Sequence, residues 1–154
     1  MKEISKKFNI RVADANDVDA LFIIRTSVKD NHLSIAEMAE MGITHETLPS
    51  MLNGPGRGWV AECDGKAVAF AMADVEDATV FAMFVLPEYE GMGVGRLLMG
   101  EAEAWLFDNG CKEIWLSTDS DQQVRSNGFY RHLGWLASGT LEDGQTKFIK
   151  RAVA

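Results

Sequence analysis

The spacing of apolar residues changes several times along the chain, and each change marks an element. Residues Phe8 to Val12 alternate apolar and polar, as a half-buried strand does. From there the interval lengthens, and Val18, Leu21, Phe22 and Val28 recur at helical spacing, with Asp14 or Asn16 placed to cap the start. The stretches "NHLSIAEMAEMG" and "THETLPSMLNGPGRG" predict a second helical region around a loop. The period then falls back towards two. "GWVAECDGKAVAFAMADVEDATVFAMFVL" predicts three strands, with Asp64-Gly65 as a tight hairpin turn and Glu76-Asp77 as a second break. From Gly95, residues Leu98, Ala102 and Trp105, flanked by Val94, Leu97 and Leu106, form one face of a helix that ends near Asn109-Gly110. "KEIWLST" is a further strand, "QQVRSNGFYRHLG" a short helix, and "WLASGTLEDGQTKFIKRA" a final hairpin turning at Asp143-Gly144. The predicted order is βα(α)βββαβαββ, a mixed sheet of the α+β kind with helices on its faces, not a run of βαβ units.

Length and composition narrow the class. The chain has 154 residues, enough for one domain with its own core, and 1–154 is read as a single domain without repeats. The formal net charge of −8 argues against nucleic acid as a partner, because phosphate binding needs the opposite sign; it is compatible with cationic acceptors. Cys63 and Cys111 have no second cysteine or histidine at metal spacing and read as reduced thiols, so no metal is expected. The N-terminus lacks the apolar core of a signal peptide, and no apolar run approaches a membrane span, so a cytoplasmic protein without membrane contact is expected.

The candidate chemistry lies in "EGMGVGR", residues 90–96, between a predicted strand and a predicted helix. Backbone N–H groups converge in such a turn, and the helix dipole adds roughly half a positive charge, so the turn suits an anion. A nucleotide P-loop would need Lys followed by Ser or Thr after its last glycine, and Arg96-Leu97 stand there instead. A dinucleotide turn needs G-x-G-x-x-G; here the glycines alternate, and Leu98 occupies the third position after Gly93 and Gly95. A plain left-handed turn with spare glycines is the remaining reading from spacing.

Phe84-Val85-Leu86-Pro87, then Glu90-Gly91-Met92-Gly93-Val94-Gly95-Arg96, then Gly128-Phe129-Tyr130 with Gly134-Trp135, resemble the GNAT N-acetyltransferase superfamily. Gly93 and Gly95 match its loop motif, while Glu90 departs from the usual Gln or Arg. The text is similar to that of a group of small bacterial members with "ENRLS"-like and "GFYRRLGW"-like segments. The resemblance implies a largely antiparallel sheet of six to seven strands with helices on both faces. It implies acetyl-CoA as co-substrate, its pyrophosphate held by backbone N–H groups of Gly91 to Arg96. The pantetheine arm would lie beside Phe84 and Val85, where the strand Met83–Val85 carries a bulge and splays from Ile114–Ser117, and Gln123 stands where many members carry an asparagine that bonds this arm. Tyr130 would be the acid that protonates the departing thiolate. The acceptor would be a primary amine of a small molecule or peptide, and a homodimer is common in the superfamily.

Moving an acetyl group from a thioester to an amine also needs a base, since an alkylamine is mostly protonated at neutral pH. The strand before the loop, "TVFAMFV", carries no carboxylate. His32, Asp74, Glu76, Glu88 or a chain of water are the alternatives. A coenzyme-binding sensor without turnover and a nucleotide-binding oxidoreductase are the competing function classes.

Overall fold

The computed structural model describes residues 7–27, 34–118 and 125–153. In chain order these form β1 (Asn9–Val12), α1 (Val18–Ser27), α2 (Ile35–Glu40), α3 (Leu48–Met51), β2 (Gly56–Cys63), β3 (Lys66–Asp74), β4 (Thr79–Val85), α4 (Val94–Asp108), β5 (Glu113–Thr118), α5 (Arg125–His132), β6 (Leu136–Thr140) and β7 (Thr146–Arg151). The order matches the one read from periodicity, with the second helical region resolved into the short α2 and α3. Asp14 is the cap that precedes α1: its side chain accepts the Asn16 N–H, and the Asp17 carboxylate returns the bond to the Asp14 N–H.

The strands make one seven-stranded sheet in the order β1-β2-β3-β4-β5-β7-β6, antiparallel everywhere except between β4 and β5. Alternation along the strands assigns the two faces. The cross-strand row Trp59, Ala71, Met83 faces α4, where the Trp59 and Trp105 rings meet edge-on at 5.5 Å. The neighbouring row Val60, Phe70, Phe84 faces α1, whose Arg25 lies over the Phe84 ring. Helices therefore cover both faces, and the core lies on each side of β2, β3 and β4.

Two irregularities shape β4. Met72 pairs with Ala82 but Ala73 with Val80, so Phe81 is the extra residue of a bulge. The bulge thus falls two residues before Met83–Val85, where the resemblance had suggested it. The second irregularity is the junction with β5. Thr79 and Trp115 are the one registered pair between these strands among the described residues. Around that pair the contacts are dense: Thr79 Oγ1 donates to the Trp115 carbonyl at 2.7 Å, the Trp115 N–H to the Ala78 carbonyl at 3.0 Å, and Trp115 Nε1 to the Asp77 carbonyl at 2.9 Å. Beyond it the strands part, and residues 82–85 are only half-buried.

A mostly buried ion pair ties α5 and the final hairpin to α4. Lys150 Nζ donates to Glu103 Oε1 at 2.7 Å and to the Leu133 carbonyl at 2.9 Å, and Trp135 Nε1 donates to Glu103 Oε2 at 3.0 Å. Removing one partner leaves the other charge in a place water reaches poorly, with the Glu103 side chain only 12% exposed. Lys150→Met is expected to cost about 2–3 kcal/mol, the scale of a lost charged hydrogen bond. A lowered urea midpoint at unchanged m-value checks it.

Candidate active site

The open end of the β4–β5 slot is where the glycine-rich turn lies. After β4, Pro87–Tyr89 form a single 3-10 turn, and Glu90 continues as exposed extended chain. Gly91 (φ 78°) and Gly93 (φ 86°) then take the left-handed conformation that side chains disfavour. Gly93 caps α4 without a side chain to offer, so the cap leaves the first N–H groups of the helix, those of Val94, Gly95 and Arg96, without a side-chain acceptor. A fifteen-residue helix directs its dipole at the same point. Val94 and Gly95 are buried, whereas Met92 and Arg96 are exposed.

The two loop glycines are needed for different reasons. A Cβ on Gly93 would meet nothing within 4 Å; there the requirement is the backbone angle and an uncluttered approach. A Cβ on Gly95 would come within 3.1 Å of the Phe129 ring and 3.4 Å of Met83 Cε. Gly95 thus lets α5 press against the start of α4. At Gly95 the close neighbour is therefore Phe129.

Through that contact the structure brings Met83, the loop and α5 together. Tyr130 follows Phe129, with the two rings edge-on at 5.1 Å, and packs against Trp135 and Phe148 at 6.4 and 6.1 Å. It is 7% exposed. Burial pushes its phenol well above the usual tyrosine range, so the group holds its proton at any ordinary assay pH. That favours a proton donor over a base.

The remaining candidates divide. Phe84 and Val85 lie half-buried on β4, beside the slot. Asp74 is occupied by the β3–β4 turn, where its Oδ1 accepts the N–H groups of Glu76 and Asp77 at 2.8 and 3.1 Å, at the closed end of the slot. Glu76 and Glu88 are exposed. Gln123 and His32 lie outside the described residues. Among the described residues no group of three His, Cys, Asp or Glu side chains could hold a metal, and no helix is long and apolar enough to cross a membrane.

The site is thus a sheet parted at one parallel pair, with a glycine turn at the open end that offers no side-chain cap. The model of the acetyltransferase (GNAT) family matches residues 20–135. An uncharacterized N-acetyltransferase of Mycobacterium tuberculosis is 29% identical over 110 residues, 69% of this chain and 70% of its own length. The ribosomal protein bS18-alanine N-acetyltransferase of Haemophilus influenzae is 30% identical over 64 residues, covering 40% of this chain and 44% of that protein. The crystal structure of the PaiA N-acetyltransferase of Thermoplasma acidophilum in complex with coenzyme A has the same fold, with a TM-score of 0.77 at 17% identity over 95% of this chain and 99% of that one. The chain belongs to the GNAT acetyltransferase family, and its class of activity is N-acetyl transfer.

Proposed function

We propose that this single domain binds acetyl-CoA across the glycine turn and the β4–β5 slot and transfers the acetyl group directly to a primary amine of a small molecule or peptide. The observation that carries the reading is the α4 N-terminus, without a side-chain cap, at the open end of the parted strands, with α5 held against it by the contact of Phe129 with Gly95. Residues Gly91 to Arg96 suit the pyrophosphate through backbone N–H groups, with the exposed Arg96 able to offset charge. Phe84 and Val85 offer strand backbone to the pantetheine arm, as a sheet edge does to an added strand. Bound acetyl-CoA supplies the acetyl group as a thioester. Tyr130 holds a proton for the departing sulfur, and the amine gives up its own proton to water or to a base that the described residues do not single out. Gln123 remains part of the proposed coenzyme set by resemblance. A homodimer belongs to the same reading, supported by the exposed edge strand β6.

A thermal-shift screen tests the coenzyme. Ligand at a hundredfold excess over Kd adds about 2.7 kcal/mol. For a chain of 154 residues that raises Tm by roughly 5–10 °C. Acetyl-CoA and CoA are expected to give this shift and NAD(P) or ATP none; the reverse pattern removes the reading. Release of free thiol with a panel of amines then demonstrates transfer.

A further inference from the structure

Tyr130 belongs to an eight-residue helix, too short to keep its shape or its place unaided. What fixes it is the set of anchors around it. One is the contact of Phe129 with Gly95, in the first turn of α4. The others converge on a single side chain, Glu103, about 12 Å further along the same helix at 1.5 Å per residue. Each oxygen of Glu103 holds a different group: Oε2 accepts the Trp135 Nε1–H at 3.0 Å, and Oε1 accepts Lys150 Nζ at 2.7 Å. Lys150 donates again, at 2.9 Å, to the carbonyl of Leu133, just past the end of α5. Gly134 then turns the chain back with φ 93°, and the Trp135 N–H returns to the Tyr130 carbonyl at 3.1 Å. The Tyr130 ring lies between the Trp135 and Phe148 rings, so the groups that Glu103 grips are the ones that enclose it.

The same helix thus serves both parts of the proposed site. The first turn of α4 offers the N–H groups that suit the pyrophosphate, and Glu103 holds the segment that carries Tyr130. α5 and Lys150 lie with the β5–β7 part of the sheet, whereas the glycine turn follows β4. A link to α4 therefore sets the distance from anion site to acid within one rigid element instead of across the parted strands. That distance matters to the chemistry. An acid delivers its proton only within hydrogen-bond reach of the leaving atom, and an error on the order of 1 Å costs about a hundredfold in rate. Stability alone does not call for a carboxylate here, because apolar groups of similar volume fill such a place as well or better.

We infer that Glu103 is a positioning residue that, through Trp135 and Lys150, aligns the Tyr130 hydroxyl with the coenzyme sulfur. The inference rests on the N-acetyltransferase reading with Tyr130 as acid, and adds the group that aligns that acid. The test is Glu103→Gln in the whole chain, alone and combined with Tyr130→Phe, assayed well below Tm by thiol release with an amine from the panel. Glutamine keeps the volume but does not accept from Trp135 and Lys150 together, since one of its two terminal atoms is a donor. kcat is expected to fall about fivefold, less than in Tyr130→Phe, with KM for acetyl-CoA unchanged. In the Tyr130→Phe background the same substitution has no further effect, because the hydroxyl it aligns is gone. A purely structural role lowers both backgrounds alike. Trp135→Phe, which removes the indole N–H, goes through the same cycle and carries the test if Glu103→Gln does not fold. The inference is overturned if kcat is unchanged, if the loss is equal with and without the Tyr130 hydroxyl, if KM for acetyl-CoA rises in step, or if neither variant folds. Failure of the underlying reading shows separately: Tyr130→Phe alone then turns over at full rate, or the unaltered protein neither binds CoA nor releases thiol.

Discussion

Gly93→Glu is expected to weaken acetyl-CoA binding by about a hundredfold or more in a chain that still folds. The substitution is sterically free, since a Cβ at this position meets nothing within 4 Å. Its conformational cost comes from φ 86°, about 1–3 kcal/mol for a residue other than glycine, which a domain stabilised by about 5–15 kcal/mol survives. Binding suffers for two further reasons. The new carboxylate lies at the cap of α4, where it competes for the N–H groups and the dipole that the pyrophosphate requires. It also repels the pyrophosphate at close range, by about 1 kcal/mol in bulk water and about 4 kcal/mol in a partly shielded site at a 4 Å separation. About 2.8 kcal/mol in all gives the hundredfold. Gly93→Ala carries the same backbone strain without the charge and separates the two effects. Calorimetric affinity near that of the unaltered protein in a folded Gly93→Glu chain would show that the anion site lies elsewhere. Gly95 is a poorer probe, because anything larger displaces Phe129 as well.

Tyr130→Phe is expected to lower kcat at least tenfold, with acetyl-CoA affinity nearly unchanged. General acids contribute on the order of 10²–10⁴ in rate, and a thiolate leaves well enough unaided to place the loss at the lower end. Phenylalanine keeps the ring that packs on Phe129, Trp135 and Phe148, so the pocket walls stay in place. Because burial raises the phenol pKa, the loss is uniform across ordinary assay pH. The alkaline limb that a tyrosine acid brings to kcat lies above the reference value near 10. Stability carries a second signature. The unfolded tyrosine ionises near pH 10 while the buried one still holds its proton; the native chain then binds more protons, and stability falls as pH rises. The contribution is complete below about pH 10 and is lost as pH climbs through the raised folded value, whereas the phenylalanine variant has no such loss. A variant that turns over at full rate assigns Tyr130 to packing alone.

Most of the fold was legible because its elements advertise their period. The apolar run Trp59, Val60 and Ala61 belongs to a strand buried on both faces, and of the residues read as one face of α4, Val94, Leu98, Ala102 and Leu106 are buried while Leu97 is exposed. The turns at Asp64-Gly65 and Asp143-Gly144 were written in their residues. What periodicity does not contain is contact between distant segments. The pressure of Phe129 on Gly95 joins positions 34 residues apart, and Glu103 meets Lys150 across 47. The bulge at Phe81 was placed slightly wrong because an extra residue in an apolar run leaves no mark on composition.

The Thr79–Trp115 junction has a mechanical side. A ladder of many rungs fixes two strands along their whole length, while this junction, with its three hydrogen bonds over Asp77 to Thr79, fixes them at one end. The sheet is accordingly two stiff plates, β1 to β4 and β5 to β7, riveted at Thr79 and Trp115 and braced by α4, which packs on both. Swivelling about the rivet widens or narrows the open end without breaking a backbone bond of either plate. The width of that gap is therefore a soft coordinate, set by whatever stands in it. A molecule wedged there would brace the two plates against each other.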